Sequence, residues 1–478
     1  MRSPLLSAAL VALTAGCTLG PDYVRPEVPL PEGWRELGPG EPETLANTPW
    51  WELFQDPELS GLIRIALQEN KDLAIAVERI EEARALYGFS KADLYPRLDL
   101  VGSASRVRVS ENGIPALASG TDSEDSLFDL GATAFWELDF FGRIRRSNEA
   151  QLALLYAAEE NRRAVVVSLV ADVARAYVEL RDADERLAIS LRTLESRTEY
   201  VELARVRFEG GKTPELDWRQ AEAEYHRTES LVHEFEELVA QKENELSFLL
   251  GRNPGAISRG AAVGDLPVPP EVPAGLPAEL LERRPDLRAA EEVLVSANAR
   301  IGEAKTLLYP SIALTGDFGW QSTELDDLLD SPSKSWSISA NLLQPIFNAG
   351  KNRRVVEVAE SQQRQALYAY ESAILRAFRE VEDALVGLRQ SGERRGSQGR
   401  RVEAERKVLE LSELRYRGGV AAYLEVLDAQ RSLFDAELDE VSTARTQVAS
   451  LIQLYRALGG GWPQASETPA TADAEQQP

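Results

Sequence analysis

Hydrophobic residues recur along this chain with two different periods, and the two periods occupy separate stretches. The first period is seven. Val166, Val173, Leu180, Leu187, Leu194, Val201 and Phe208 follow one another at that spacing. Ile374, Val381, Leu388, Val402, Leu409 and Tyr416 repeat it, with Arg395 as the one break, and Leu427, Phe434, Val441, Val448 and Tyr455 carry it through a third stretch. A strict heptad means about 3.5 residues per turn and left-handed packing of long helices. From Arg143 to Phe208 it predicts one helix roughly 100 Å long at 1.5 Å per residue. A plain antiparallel helical hairpin satisfies the same pattern.

The second period is two. Ile312, Leu314, Gly316, Phe318 and Trp320 oppose Ala313, Thr315, Asp317, Gly319 and Gln321. Trp336, Ile338, Ala340 and Leu342 oppose Ser337, Ser339, Asn341 and Leu343. Leu130, Ala132, Ala134, Trp136, Leu138 and Phe140 oppose Gly131, Thr133, Phe135, Glu137 and Asp139. Alternation over about ten residues, with aromatics near the ends, is the pattern of membrane β-strands, apolar toward lipid and polar toward a wet lumen. A half-buried hairpin on a soluble core alternates in the same way. The candidate membrane-facing aromatics are Trp136, Phe140, Phe318, Trp320 and Trp336. Two hairpins give four strands, whereas the smallest membrane barrels need about eight. A barrel therefore calls for several chains, since free strand edges are otherwise a liability.

The chain is also written twice. Tyr95-Pro96 matches Tyr309-Pro310 at an offset of 214, while Gly210-Gly211 matches Gly418-Gly419, and Leu250-Gly251 matches Leu458-Gly459, at 208. The six missing residues fall in the strand region of the second copy. Each half reads as a helix (Pro57 to Gly88; Pro277 to Thr306), a strand pair, a very long helix, a Gly-Gly turn and a returning helix. The organisation is 1–16 signal peptide, 17–56 extended segment, 57–251 first repeat, 252–276 Pro/Gly-rich crossover, 277–462 second repeat and 463–478 polar tail.

Composition narrows the class. The net charge of −25 over 478 residues argues against nucleic acid as a partner. No run of about 20 apolar residues is present, so no spanning helix is expected. Arg2, the apolar Leu5 to Leu13 and the sequence TAGC read as a signal peptide ending at Cys17, the only cysteine. Cys17 is the candidate lipidation site, with a diacylglycerol and an N-acyl chain, although Thr14 stands where a Leu-type residue is usual. Chemistry is otherwise sparse. His226 and His233 lie two turns apart without further ligands, so no metal site is expected. Glu81-Glu82 and Glu236-Glu237 read as solvated helix faces, and no nucleophile triad or phosphate loop occurs. No catalytic residue and no cofactor beyond the lipid are expected.

The ordered set GCTLGPDYVRPEVPLP, WWELFQDPELSGLIRIALQENKDL, the paired YP strand starts, QPIFNAGKNRR, RYRGGVAAYLEVLDAQRSLF and YRALGGGW resembles the outer-membrane factors of tripartite efflux systems (TolC/OprM type, lipoprotein branch). The resemblance implies a mainly α, mixed α and β protomer: four strands per chain in a trimeric outer-membrane β-barrel, continued by a long periplasmic α-helical barrel. It implies a homotrimer in outer membrane lipid, docked to a periplasmic membrane-fusion adaptor and an inner-membrane efflux pump. Its function would be the exit duct for drugs, metals or other small molecules, without catalysis and without nucleic acid. A periplasmic coiled-coil scaffold lipoprotein and a type I protein-secretion duct are the alternatives.

The resemblance also assigns residues. Leu424 and Asp428, four apart and hence on one helix face, would line a periplasmic gate, with Tyr423 beside them and Arg431 bonding nearby. Asp428 replaces Gln220 of the first copy. The plainer reading of Asp428 is an i,i+3 ion pair with Arg431, worth a few tenths of a kcal/mol. The turns, with Gly210, Gly211, Lys212, Gly418, Gly419 and Val420, would contact the adaptor; glycine there also suits a left-handed backbone.

Overall fold

The computed structural model describes residues 18–36, 38–39, 55–110, 123–269, 274–275 and 277–460. Cys17, the signal peptide, the tail from 461 onward and much of the 17–56 segment lie outside the described residues. In chain order the elements are α1 (Pro57–Glu69), α2 (Lys71–Ala92), β1 (Arg97–Arg108), β2 (Glu124–Leu138), α3 (Arg143–Glu209), α4 (Glu215–Leu249), α5 (Pro285–Thr306), β3 (Ser311–Ser322), β4 (Lys334–Leu343), α6 (Lys351–Arg417) and α7 (Tyr423–Ala457). α3 and α6 are 67 residues each and α4 and α7 are 35 each, so the heptads do mark single, uninterrupted helices.

Where the sequence predicts one helix ahead of each strand pair, the structure has a break. Asn70 ends α1 with an extended backbone, and its side-chain oxygen accepts the Leu73 amide at 3.0 Å, which caps α2. Its amide nitrogen donates to Leu249 O at 2.8 Å, at the end of α4. The equivalent residue, Arg284, precedes Pro285 and is extended, as pre-proline residues prefer. It separates α5 from the one-turn helix Leu280–Arg283 and donates to Ala457 O at 3.0 Å, at the end of α7. Both breaks thus satisfy a carbonyl that the returning helix cannot bond internally.

The chain forms two compact units, each drawing on both sequence halves. One holds residues 1–27, 79–159 and 289–371 and contains the sheet. Its strands are antiparallel in the order β1-β2-β3-β4, which leaves β1 and β4 as free edges. The N-terminal segment is fixed within this unit: Arg146 donates to Leu19 O at 3.0 Å and to Asp22 at 2.8 Å, and Arg25 pairs with Glu291.

The other unit holds 28–78, 160–288 and 372–478. Its core packs Leu59, Ile63, Val173, Tyr177, Leu180, Leu246, Val381, Leu451 and Tyr455 around the buried indole of Trp34, whose Nε1 donates to Gly275 O at 2.8 Å. The buried Asp56 carboxylate caps α1 through the Glu58 and Leu59 amides and accepts from Tyr177 Oη at 3.1 Å and the Ala261 amide at 3.0 Å. That bond network ties α1 and the crossover to α3. Arg395, the heptad break, reaches Gly264 O at 2.7 Å and Gln447 at 3.1 Å, so the position is polar because it carries a crossover contact.

Candidate functional site

Register sorts the sheet into two chemically opposite faces. Asp99 stands opposite Thr133, Thr133 opposite Asp317, and Asp317 opposite Ser337. The same face carries Ser103, Ser105, Asp129, Thr315, Gln321, Ser339 and Asn341, and its groups bond across strands: Ser103 to Asp129 at 3.0 Å, Gln321 to Asp129 at 2.6 Å and Ser337 to Asp317 at 2.8 Å. The other face aligns Leu100 with Ala132, Leu130 with Trp320, Ala132 with Phe318, Phe318 with Trp336, and Trp136 with Leu314. Trp136, Phe318, Trp320 and Trp336 therefore share the apolar face. Phe140 does not, because β2 ends at Leu138 and Phe140 lies in the turn before α3. Among the described residues no helix is long and apolar enough to cross a membrane, and an isolated four-stranded sheet with two open edges leaves backbone groups unpaired.

The helical hairpin tips have one backbone design. At the first, Gly211 N–H donates to Phe208 O at 2.8 Å and Lys212 N–H to Arg207 O at 2.9 Å; at the second, Gly419 donates to Tyr416 O at 3.1 Å and Val420 to Arg415 O at 3.0 Å. This is the paired-bond helix ending that needs a left-handed residue. Gly211 (φ 66°) and Gly419 (φ 73°) supply it, each facing open space. Gly210, Lys212, Gly418 and the Val420 side chain are exposed.

The side chains at the two tips differ. At the first, Phe208 stacks on Trp218, with the Arg219 guanidinium 3.9 Å from the Trp218 ring centre. At the second, Tyr423 is buried between Tyr416 and Tyr200, with ring centres 5.7 and 6.4 Å away, and burial pushes its phenol up to about 12. Leu424 is 57% exposed. Asp428 is exposed on the same face and, among the described residues, has no hydrogen bond or ion pair.

Arg431 points elsewhere. Its Nε donates at 2.8 Å to Glu224 Oε1 on α4, and Nη2 bonds the same oxygen. Arg431 thus links the two hairpins through Glu224, while the Asp428 carboxylate acts on it through its charge alone. The other Glu224 oxygen takes Arg197 Nη1 at 2.8 Å, a nitrogen that also bonds Glu224 O and Thr228 Oγ1. Glu224 and Arg197 are 5% and 4% exposed. Burial pushes the Glu224 carboxyl up, but the Arg431 hydrogen bond and the charges of Arg197 and Arg431 outweigh it and hold the group below the ordinary glutamate range. Burial lowers the Arg197 guanidinium. Sequence reasoning missed Glu224, Arg197 and Thr228. The available signal was polarity inside the buried stripe Ala221, Glu224, Thr228, Val232 and Phe235 of α4.

Nothing in this arrangement resembles a catalytic centre: the tips hold ion pairs and rings, and among the described residues no group of His, Cys, Asp and Glu is placed to hold a metal ion. Known proteins agree with a channel. The solvent efflux pump outer membrane protein SrpC of Pseudomonas putida is 36% identical over 469 residues, covering 97% of this chain and 99% of that protein. The outer membrane protein OprJ of Pseudomonas aeruginosa is 36% identical over 472 residues, covering 97% of each. Among solved structures, the open state of the Neisseria gonorrhoeae MtrE outer membrane channel matches with TM-score 0.82 and 34% identity, covering 93% of this chain and 98% of that one. These likenesses set the scaffold reading aside. The outer membrane efflux protein profile matches residues 62–252 and 276–460, and the chain belongs to that family: it is an outer-membrane efflux channel protein, mainly helical with a small sheet, and not an enzyme.

Proposed function

We propose that three copies of this chain form the exit duct of a tripartite pump that exports small molecules. The observation that carries this is the sheet: four strands, two free edges, one apolar face and one polar face. Three copies joined β4 to β1 make a closed twelve-stranded barrel, which satisfies every edge and turns the apolar face to lipid. The long helices would stand in the periplasm, with the two Gly-Gly tips meeting a membrane-fusion adaptor and, through it, an inner-membrane pump. Solvent and antibiotic efflux among the relatives' names favours small organic cargo.

The second tip is the candidate gate in this reading. Leu424 and Asp428 face the axis and form a ring of three carboxylates that favours cations. Glu224, held by Arg197 from behind, clamps Arg431 and with it the first turns of α7 against α4. Opening the gate means releasing that clamp. Cys17 would carry the lipid. Its neighbour Thr18 rests against Gly142, and the Leu19 amide bonds Phe141 O at 3.2 Å, which supports an anchor beside the helix-side rim of the sheet.

The test is oligomer state and conductance. Purified full-length protein should run as a heat-resistant trimer and give discrete channels in planar bilayers. A monomer extractable without detergent, with no conductance, would end the duct reading.

A further inference from the structure

The lipid-facing side of the sheet is not wholly apolar, and its charges all lie at one end. Across the four strands this face carries Arg106, Arg108, Lys334 and Glu124. That is three cations against one carboxylate. The opposite face carries Arg97 against Asp99, Asp125, Asp129, Asp317 and Glu137. In a chain of net charge −25, the outward face is the one with a positive excess.

The position of these charges is as informative as their sign. On β2 the apolar run of this face extends from Leu138 to Phe128. Ten residues at about 3.3 Å each, tilted by about 40°, span roughly 25 Å of height, the thickness of an outer-membrane apolar band. Arg106 stands opposite Ser126 and Arg108 opposite Glu124, the next two positions beyond Phe128. The arginines therefore sit just past the hydrocarbon, at headgroup level. They are two apart on one strand, so both point the same way. Arg106 lies 3.0 Å and Arg108 3.5 Å from Glu124, and both side chains stay about 70% exposed. One carboxylate does not neutralise two guanidiniums. β1 is a free edge, and barrel closure would set β4 of the next copy beside it, bringing Lys334 to the same flank.

We propose that Arg106 and Arg108, with Lys334 of the adjoining copy, form a binding surface for the phosphorylated glycolipid of the outer leaflet, the phosphates of lipid A being the groups bound. Guanidiniums recognise phosphate through paired, charge-assisted hydrogen bonds, and basic clusters at headgroup level bind anionic lipid at about 1 kcal/mol per charge. The proposal rests on the orientation proposed above, helices in the periplasm and strand loops outside. Both strand loops lie at the end of the sheet remote from the helices, because β1 and β3 follow α2 and α5 while β2 and β4 lead into α3 and α6.

The full-length trimer would be titrated in nanodiscs with bisphosphorylated lipid A and, separately, with its dephosphorylated form, with retention read by native mass spectrometry. Wild type should prefer the phosphorylated lipid. Joint Arg106→Ala and Arg108→Ala substitution should weaken that binding about tenfold or more. Glu124→Gln should strengthen it about fivefold, and it guards against a misfolded double variant because its effect runs the other way. Equal binding of the two lipids by wild type, or unchanged binding in both variants, would overturn the proposal. Orientation is checked apart from binding: Leu329→Cys, in the β3–β4 loop, should react with a membrane-impermeant maleimide on intact cells. No labelling there would indict the orientation and not the phosphate contact.

Discussion

The two helical hairpin tips share one backbone and differ in what their side chains do. Each ends its long helix with the same pair of hydrogen bonds and the same left-handed glycine. The first tip presents a stacked Phe208, Trp218 and Arg219, an arrangement of surface contacts. The second buries Tyr423 and fixes Arg431 to a carboxylate from the first hairpin. A duplicated element has thus kept its turn, which backbone geometry dictates, and diverged at the side chains. Glu224 shows the division most clearly. Its counterpart in the second repeat is Ser432, so the clamp exists once per chain and points one way.

The largest effect should come from Glu224→Ala. It strands the buried Arg197 charge, and breaking a buried pair from one side costs about 3–5 kcal/mol. Hydrogen exchange should report loss of protection in the first turns of α7, whereas Ser432→Ala should stay within about 0.5 kcal/mol. Acid should act in the same direction. Since the Glu224 pKa is depressed in the fold, its contribution is complete above the ordinary glutamate value of 4.5 and disappears as pH falls through the lower folded value. Wild-type conductance should rise over that window and the rise should be absent from Glu224→Gln.

Next in size is the turn. Gly419→Ala and Gly211→Ala each force a side chain into the left-handed region, at about 1–2 kcal/mol. Because the backbones match, the two losses in thermal stability should be alike. Unequal losses would mean that one turn is held by more than its own geometry. Smallest in stability is Asp428→Asn, exposed and coupled to Arg431 only through charge, within about 0.5 kcal/mol. Its effect should appear in ion selectivity, measured as a reversal-potential shift away from cations. Gln220→Asp at the first tip should leave selectivity unchanged.

Much of this was legible in the sequence because periodicity reports burial directly. The heptad from Arg143 to Phe208 marks α3 to within a residue of its observed end at Glu209, and the alternation at Ser311 to Ser322 marks both strand and faces. What was not legible depends on partners distant in sequence. Asn70 breaks a helix pattern because it caps a carbonyl on a returning helix, and at Arg284 the same contact adds to the break that Pro285 already signals. Arg431 has a nearby acid at Asp428, and only tertiary packing reveals that the partner is Glu224, 207 residues away. Phe140 obeys the strand alternation yet falls beyond the strand, since the chain turns at Asp139, whose carboxylate accepts the Ile144 and Arg145 amides of α3.

The central claim, that the second tip and not the first closes the duct, is tested most directly by single-channel conductance of the trimer in planar bilayers. Arg431→Ala releases the clamp while leaving Glu224 paired with Arg197, and Arg219→Ala removes an exposed arginine of the first tip, where the repeat counterpart of Arg431 is Ala223. The account predicts a several-fold rise in conductance for Arg431→Ala and none for Arg219→Ala. Equal conductance in wild type and Arg431→Ala, or an equal rise in both variants, would contradict it.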